Sequence, residues 1–373
     1  MPKGRMHGFD LPFLLLFLGI AFFGILVLIS ASGPEAYANC AGDSYCYIRH
    51  QIFFGWLPGI GALILAWVFP MNFWKRLAPF LLVGTIVLLI LVFIPGIGED
   101  YGTSAKSWID FFGLSFQPSE LAKLTFLLYV ASWLSSRREH VADFREGLLP
   151  FLGLLSVVGA LIFFQPDLGT LSIIVAMSTV MYFVGGGRPL YLAILGAGGI
   201  GLFALAIKFS PYRLERFTTF LHPEFDPQGI GYQINQALLA VGSGGFFGRG
   251  YGHSLQKYQY LPEVIGDSIF AVLAEEFGFF LTTGFLLAFV AFLWRGFLIA
   301  ERTTDDFSRY CCIGILSWFG IQAFVNIGAI VGILPLTGVP LPFVSYGGTS
   351  LVVSLFAVGM ILNISSHTSY ASK

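Results

Sequence analysis

Long apolar runs separated by short polar stretches set the rhythm of this chain. Read with a window of about 19 residues, the runs fall near 12–31, 52–69, 77–95, 119–134, 148–164, 168–184, 189–209, 267–293, 310–332 and 346–364. Each approaches the roughly 20 residues that a helix needs to cross a hydrocarbon core. The pattern predicts an all-α polytopic membrane protein of about ten transmembrane helices, organised as one domain over 1–373. The first run, Pro12 to Ala31, carries no charge and is too long, and too weakly followed by a small-residue cleavage pattern, for a removable signal. It reads as a retained span.

Composition strengthens this picture. Hydrophobic residues make up 56% of the chain and charged residues 11%, with a mean hydropathy of +0.79, whereas an ordinary soluble domain is about 25% charged. Soluble, secreted, fibrous and disordered classes are excluded. The net charge of −1 offers no polybasic surface to nucleic acid. Of four cysteines, Cys40 and Cys46 share a polar loop and Cys311 and Cys312 an apolar run, which fits no zinc spacing.

Charge placement gives the orientation. With the N-terminus inside, the inner segments hold Lys3, Arg5, Lys75, Arg76, Arg137, Arg138, Arg145, Arg188, Arg295, Arg302, Arg309 and Lys373, while the short outer loops hold only Arg49 and Lys106. Such a bias predicts that both termini are cytoplasmic. Cys40 and Cys46 then lie outside, where a local disulfide is chemically allowed.

One outer connection, Ser210 to Gly266 between the seventh and eighth spans, is 57 residues long. Loops of that length are uncommon unless they are functional. It carries Arg213, Arg216, Arg249 and Lys257 beside Glu215, Glu224, Asp226 and Glu263, and its stretch Gly231 to Val241 is amphipathic, as expected of a segment lying partly on the membrane surface. A cap that merely covers helix ends is the plain alternative.

Ionisable residues inside the spans are few: Lys123 and the pair Glu275–Glu276 stand out. A charge at the bilayer centre costs about 2.5–3.5 kcal/mol even on lenient scales, so such groups face protein or a wet cavity. Pro118 opens the fourth helix, and Glu120 and Lys123 then share one face. An internal ion pair is one reading. The other joins Lys123 with Arg213 and Arg216 at outward-facing helix N-termini to hold an anionic lipid head group.

Asp267 sits where the long loop becomes the eighth helix, with Glu263 four residues earlier. A helix N-cap is the simple reading. A carboxylate partly desolvated at the lip of an apolar bundle, near cations, also suits general-base catalysis. Gln165-Pro-Asp-Leu-Gly-Thr170 reads as a hairpin with Asp167 capping the following helix. The run from Pro335 through Ser345 to Thr349 reads as a proline- and glycine-broken cavity wall.

Taken in order, several fragments resemble the SEDS family (shape, elongation, division and sporulation). They are Trp108 with Gln117-Pro-Ser-Glu-Leu-Ala-Lys123, Gln165-Pro-Asp-Leu-Gly-Thr170, Gly231-Tyr-Gln, Gly242-Ser-Gly-Gly, Tyr260-Leu-Pro-Glu and Gly338-Val-Pro-Leu-Pro-Phe-Val-Ser-Tyr-Gly-Gly-Thr-Ser350. Ser254 to Glu263 is closer to the division and sporulation branch than to the elongation branch. One departure stands out: the family pattern Glu-x-His-Thr-Asp appears as Glu263-Val-Ile-Gly-Asp267, so a mechanism needing that His does not carry over.

The resemblance implies a ten-span protein of the bacterial cytoplasmic membrane that polymerises lipid II into peptidoglycan strands, for division or cell shape. It implies a class B penicillin-binding protein as the transpeptidase partner, together with the division or elongation machinery and membrane lipid. Asp267 would be the catalytic base, with Trp108, Glu120, Lys123, Arg213, Arg216, Glu263 and Ser345 as substrate contacts. No cofactor is expected to be held by the protein, although a divalent cation can assist the pyrophosphate. Two other function classes stay open on the residues alone: a lipid II flippase, and a non-catalytic scaffold for the penicillin-binding partner.

Overall fold

The computed structural model describes residues 8–99, 107–111, 114–208, 211–226 and 229–368. Lys3, Arg5, Lys106 and Lys373, which enter the charge asymmetry, lie outside them. The helices in chain order begin with α1 (Leu11–Asn39) and α2 (Cys46–Gln51). A π-helical turn, Ile52–Trp56, runs α2 on into α3 (Leu57–Val68), and α4 (Met71–Leu91) and α5 (Pro118–Ser136) follow. A second π-helical turn, Phe144–Leu148, leads into α6 (Leu149–Phe164), before α7 (Leu168–Val184) and α8 (Pro189–Lys208). The remainder are α9 (Pro211–Leu221), α10 (Ile230–Ser243), α11 (Ile269–Arg302), α12 (Asp306–Ile330) and α13 (Gly348–His367).

All ten predicted apolar runs are helical: α1, α2–α3, α4, α5, α6, α7, α8, α11, α12 and α13. Among the described residues seven helices are long and apolar enough to cross a membrane. The protein is a polytopic all-α membrane protein. Its flanks expose Leu15, Phe22, Phe80, Val83, Phe164 and Trp294, an arrangement that suits lipid and not water. The most buried elements are α5, α12 and α13, whose faces carry Phe126, Trp318, Phe319 and Met360.

Two features depart from the simple helical reading. Between α4 and α5 lie three short antiparallel strands, β1 (Gly98–Glu99), β2 (Trp108–Phe111) and β3 (Leu114–Phe116), with Glu99 opposite Trp108 and Ile109 opposite Phe116. These strands are too short to register in a 19-residue hydropathy window. The long connection from α8 to α11, for its part, is largely structured: α9 and α10 occupy it, and α10 packs Ile234, Ala237 and Ala240 inward beside α11. The Cys40–Cys46 disulfide closes the corner between α1 and α2.

A break in α11 receives part of this connection. Gly278 has φ 68° and ψ −175°, which interrupts the helix, a conformation that favours glycine. The break frees the Glu275 and Glu276 carbonyls, which accept from Arg249 N and Gly250 N, both at 3.0 Å. On the far side of the break, Phe279 N and Phe280 N donate to Gly245 O and Phe246 O. A Cβ on Gly278 would strike the Gly248 backbone. The loop thus completes the helix where the helix cannot complete itself, the condition under which broken helices persist in a membrane.

Candidate functional site

Asp267 is half-buried in the turn that precedes α11. The plain N-cap reading is not what the structure shows: Ser268 is the cap residue and makes no side-chain cap bond. The Asp267 carboxylate instead turns toward α10. Gln233 Nε2 lies 3.3 Å from Asp267 Oδ1 and 3.0 Å from Ser268 Oγ, and Ser268 Oγ lies 3.4 Å from the same carboxylate oxygen. Beneath it, Asn326 of α12 donates from Nδ2 to both Asp267 O and Val339 O at 2.8 Å. Tyr346 N donates to Ile265 O at 2.8 Å. Bundle and proline-rich segment together fix the backbone on which the carboxylate rides.

A tight notch, without room for a water molecule, is lined here by Asp267 and Asn326 with Ile330, Leu336, Thr337 and Val339. Burial pushes the Asp267 carboxyl up to about 7, and the Glu263 carboxylate adds to the rise, while the Ser268 hydrogen bond and the Arg216 charge pull against it. A carboxyl titrating near neutrality can take a proton and release it again. Glu263 is exposed and held at φ 52°. Asp267, Glu263 and Arg216 therefore act on one another electrostatically.

The other expected residues sit elsewhere. Lys123 is fully buried, paired with Glu120 Oε1 at 2.8 Å, bonded to Gln322 Oε1 at 2.8 Å and placed 5.0 Å from the Trp318 ring centroid. Of its two sequence readings, the internal ion pair is the one seen. A direct contact with a diphosphate would require this network to open, because the ammonium faces only protein. Gln322 and Asn326 are one turn apart on α12 and hold Pro340 O and Val339 O respectively. They tie the buried pair and the Asp267 turn to one wall. Ser345, 7% exposed, accepts from Leu341 N at 2.8 Å, a bond that shapes the turn. Trp108 is half-buried in β2. Arg213 belongs to α9, but its side chain lies outside the described residues. Asp167 caps α7 through Thr170 N at 3.0 Å, as expected, and also accepts from Ser119 Oγ at 2.9 Å.

A second polar group surrounds the α11 break. Lys257 Nζ donates to Ser30 Oγ, Gly252 O and Glu276 Oε1, each at 2.8 Å, which uses all three of its hydrogens. Glu275 accepts from Ser254 Oγ at 2.5 Å, from Leu255 N at 3.1 Å and from Gln256 N at 3.3 Å, and pairs with Arg249 Nε at 3.4 Å. A wider cavity of about 620 Å³ opens beside this group, between the last turns of α1 and residues 251–259. Its lysine is saturated, so the chemistry favours the Asp267 turn.

Sequence reasoning named Gln233 only within the Gly231-Tyr-Gln fragment, with no role, and missed Gln322 and Asn326. Amides carry no charge to attract notice, yet the spacing of Gln322 and Asn326 on an apolar helix marks one face.

The sequence model of the FtsW/RodA/SpoVE family, described as cell cycle protein, matches residues 10–370. Stage V sporulation protein E of Bacillus subtilis is 40% identical over 363 residues, covering 97% of this chain and 98% of that protein. A probable peptidoglycan glycosyltransferase FtsW of Trichlorobacter lovleyi is 38% identical, covering 97% and 94%. Among solved structures, a chain from a peptidoglycan synthase complex that coordinates polymerization and crosslinking superposes with a TM-score of 0.78 at 28% identity, covering 96% of this chain and 97% of that one. This chain belongs to the FtsW/RodA/SpoVE family, the SEDS family that its motifs resemble, and is FtsW/SpoVE-like.

Proposed function

We propose that this protein is a peptidoglycan glycosyltransferase that polymerises lipid II, with Asp267 as the general base. The observation that carries the reading is the half-buried Asp267 carboxylate before α11, met by Gln233 and Ser268, which burial pushes up to about 7 while the Arg216 charge pulls against the rise. The acceptor sugar's 4-hydroxyl oxygen bonds to the donor's anomeric carbon, and its proton passes to Asp267. The bond from that carbon to the pyrophosphate oxygen breaks, and its electron pair leaves with the lipid pyrophosphate. Attack opposite the leaving group inverts the anomeric centre. Arg216, with Arg213 on the same helix, neutralises charge developing on the pyrophosphate. A divalent cation, where it assists, arrives with that group.

The Lys and Arg asymmetry supports a bacterial cytoplasmic membrane orientation with both termini inside and the Asp267 turn outside. The glycosyltransferase name among its relatives and the synthase complex among its structural neighbours support a class B penicillin-binding protein as partner. Purified protein with that partner should lengthen strands from lipid II in detergent. Headgroup movement across vesicles without strand synthesis would replace this reading with a flippase.

A further inference from the structure

Asp267 is held from two sides that belong to different parts of the fold. Its backbone is fixed by the bundle, through Asn326 of α12, whereas its carboxylate is met by Gln233 of α10, a helix of the long connection. The amide orientation follows from its neighbours: two oxygens face Nε2, and the opposite rotamer would set a carbonyl against a carboxylate. Asp226 starts α10 by accepting from Gly229 N at 2.9 Å and Ile230 N at 2.6 Å. At its other end Ser243 Oγ reaches Glu275 Oε1 at 3.3 Å. Between these ends the seat is apolar and built from small side chains, Ala237 and Ala240.

We propose that Gln233 is a positioning residue for the general base, its amide aiming the Asp267 carboxylate and favouring the ionised form, so that the seating of α10 on α11 sets the activity of the site. This rests on the glycosyltransferase reading above. An N–H donor stabilises a carboxylate over a carboxylic acid, and this one reaches the base only while α10 is in place. The charged groups acting on Asp267 are Glu263 on its own segment and Arg216 on α9. The residues of α10, of α12 and of 337–339 that meet it, Gln233, Asn326, Thr337 and Val339, are uncharged.

The test is strand synthesis from lipid II by the purified protein with its transpeptidase between pH 5.5 and 9, comparing wild type with Gln233→Met and Gln233→Glu. Both substitutions put another good helix former in α10, so the helix should still form. Loss of the donor should move the acid limb of kcat upward by about half to one pH unit. The added carboxylate of Gln233→Glu should move the limb further. KM should change by less than about twofold, and the deficit should shrink toward alkaline pH. An unmoved acid limb in folded protein, or a deficit equal at every pH, overturns the proposal. Asp267→Asn in the same assay separates the two levels: if it retains activity, the reading of the site itself fails. If it is inactive while Gln233→Met keeps the wild-type profile, only the role of Gln233 fails.

Discussion

Two carboxylate sites lie close together in sequence at the start of α11, and they are built in opposite ways. Glu275 and Glu276 are buried and surrounded by donors: Lys257, Arg249, Ser30, Ser254 and backbone N–H groups of 254–256. Asp267 has Gln233 and Ser268 at 3.3–3.4 Å, an exposed Glu263 nearby and a tight notch beside it. Glu275 and the Oε1 of Glu276, bonded on several sides, lock the connection into the break at Gly278. An under-solvated carboxylate with weak partners is left with a proton affinity near neutrality. Chemistry thus belongs to the carboxylate that has weak neutral partners and no buried cation paired to it.

Carrying the same isosteric change into both sites should separate them most sharply. Asp267→Asn should lower strand synthesis by about 100–10,000-fold. It should also raise the melting temperature in detergent at pH 8. The sign follows from linkage: a folded value of about 7 against an ordinary 3.8 means that the native state binds the proton more tightly, so stability falls as pH climbs from about 4 to about 7. Removing the charge recovers that loss. Glu276→Gln should do the reverse, leaving the Lys257 ammonium buried beside a neutral amide and costing about 3–5 kcal/mol, measured as denaturant or thermal unfolding in detergent. Equal and like-signed stability changes at the two sites would dissolve the contrast.

Arg216→Ala comes next. Without the cation that favours its charged form, Asp267 should hold its proton to higher pH, moving the acid limb upward, and strand synthesis at pH 7 should fall by about tenfold. Far from both sites little should change. Arg138 and Asp306 pair at 3.2 Å with both side chains substantially exposed, and Arg138→Ala should alter stability in thermal unfolding by less than about 1 kcal/mol.

Much of this architecture was legible in the sequence, because hydropathy reports length and lipid exposure directly. All ten helical runs lie where the apolar pattern puts them, and Pro118 and Asp167 open α5 and α7 as expected. Asp267 was legible as a charge at a helix boundary, and the Glu120–Lys123 pair as neighbours on one face. The strands at Trp108 and Leu114 were not, being too short to carry a period. Nor was the N-cap at Ser268, since capping depends on the φ and ψ of a single residue. Gln233 was legible only as part of a motif, and its contact with Asp267 escaped because the two are 34 positions apart and join only through the packing of α10. Convergence across such distances is a property of packing and leaves no local trace.

Whether Asp267 acts as the base can be read from the pH dependence of kcat/KM for strand synthesis, which reports ionisations of the free enzyme. If it does, the wild-type rate rises through an ionisation near pH 7, and Asp267→Asn loses that limb along with the activity. A wild-type rate that stays flat from pH 5.5 to 9, or a limb that survives in Asp267→Asn, would contradict it.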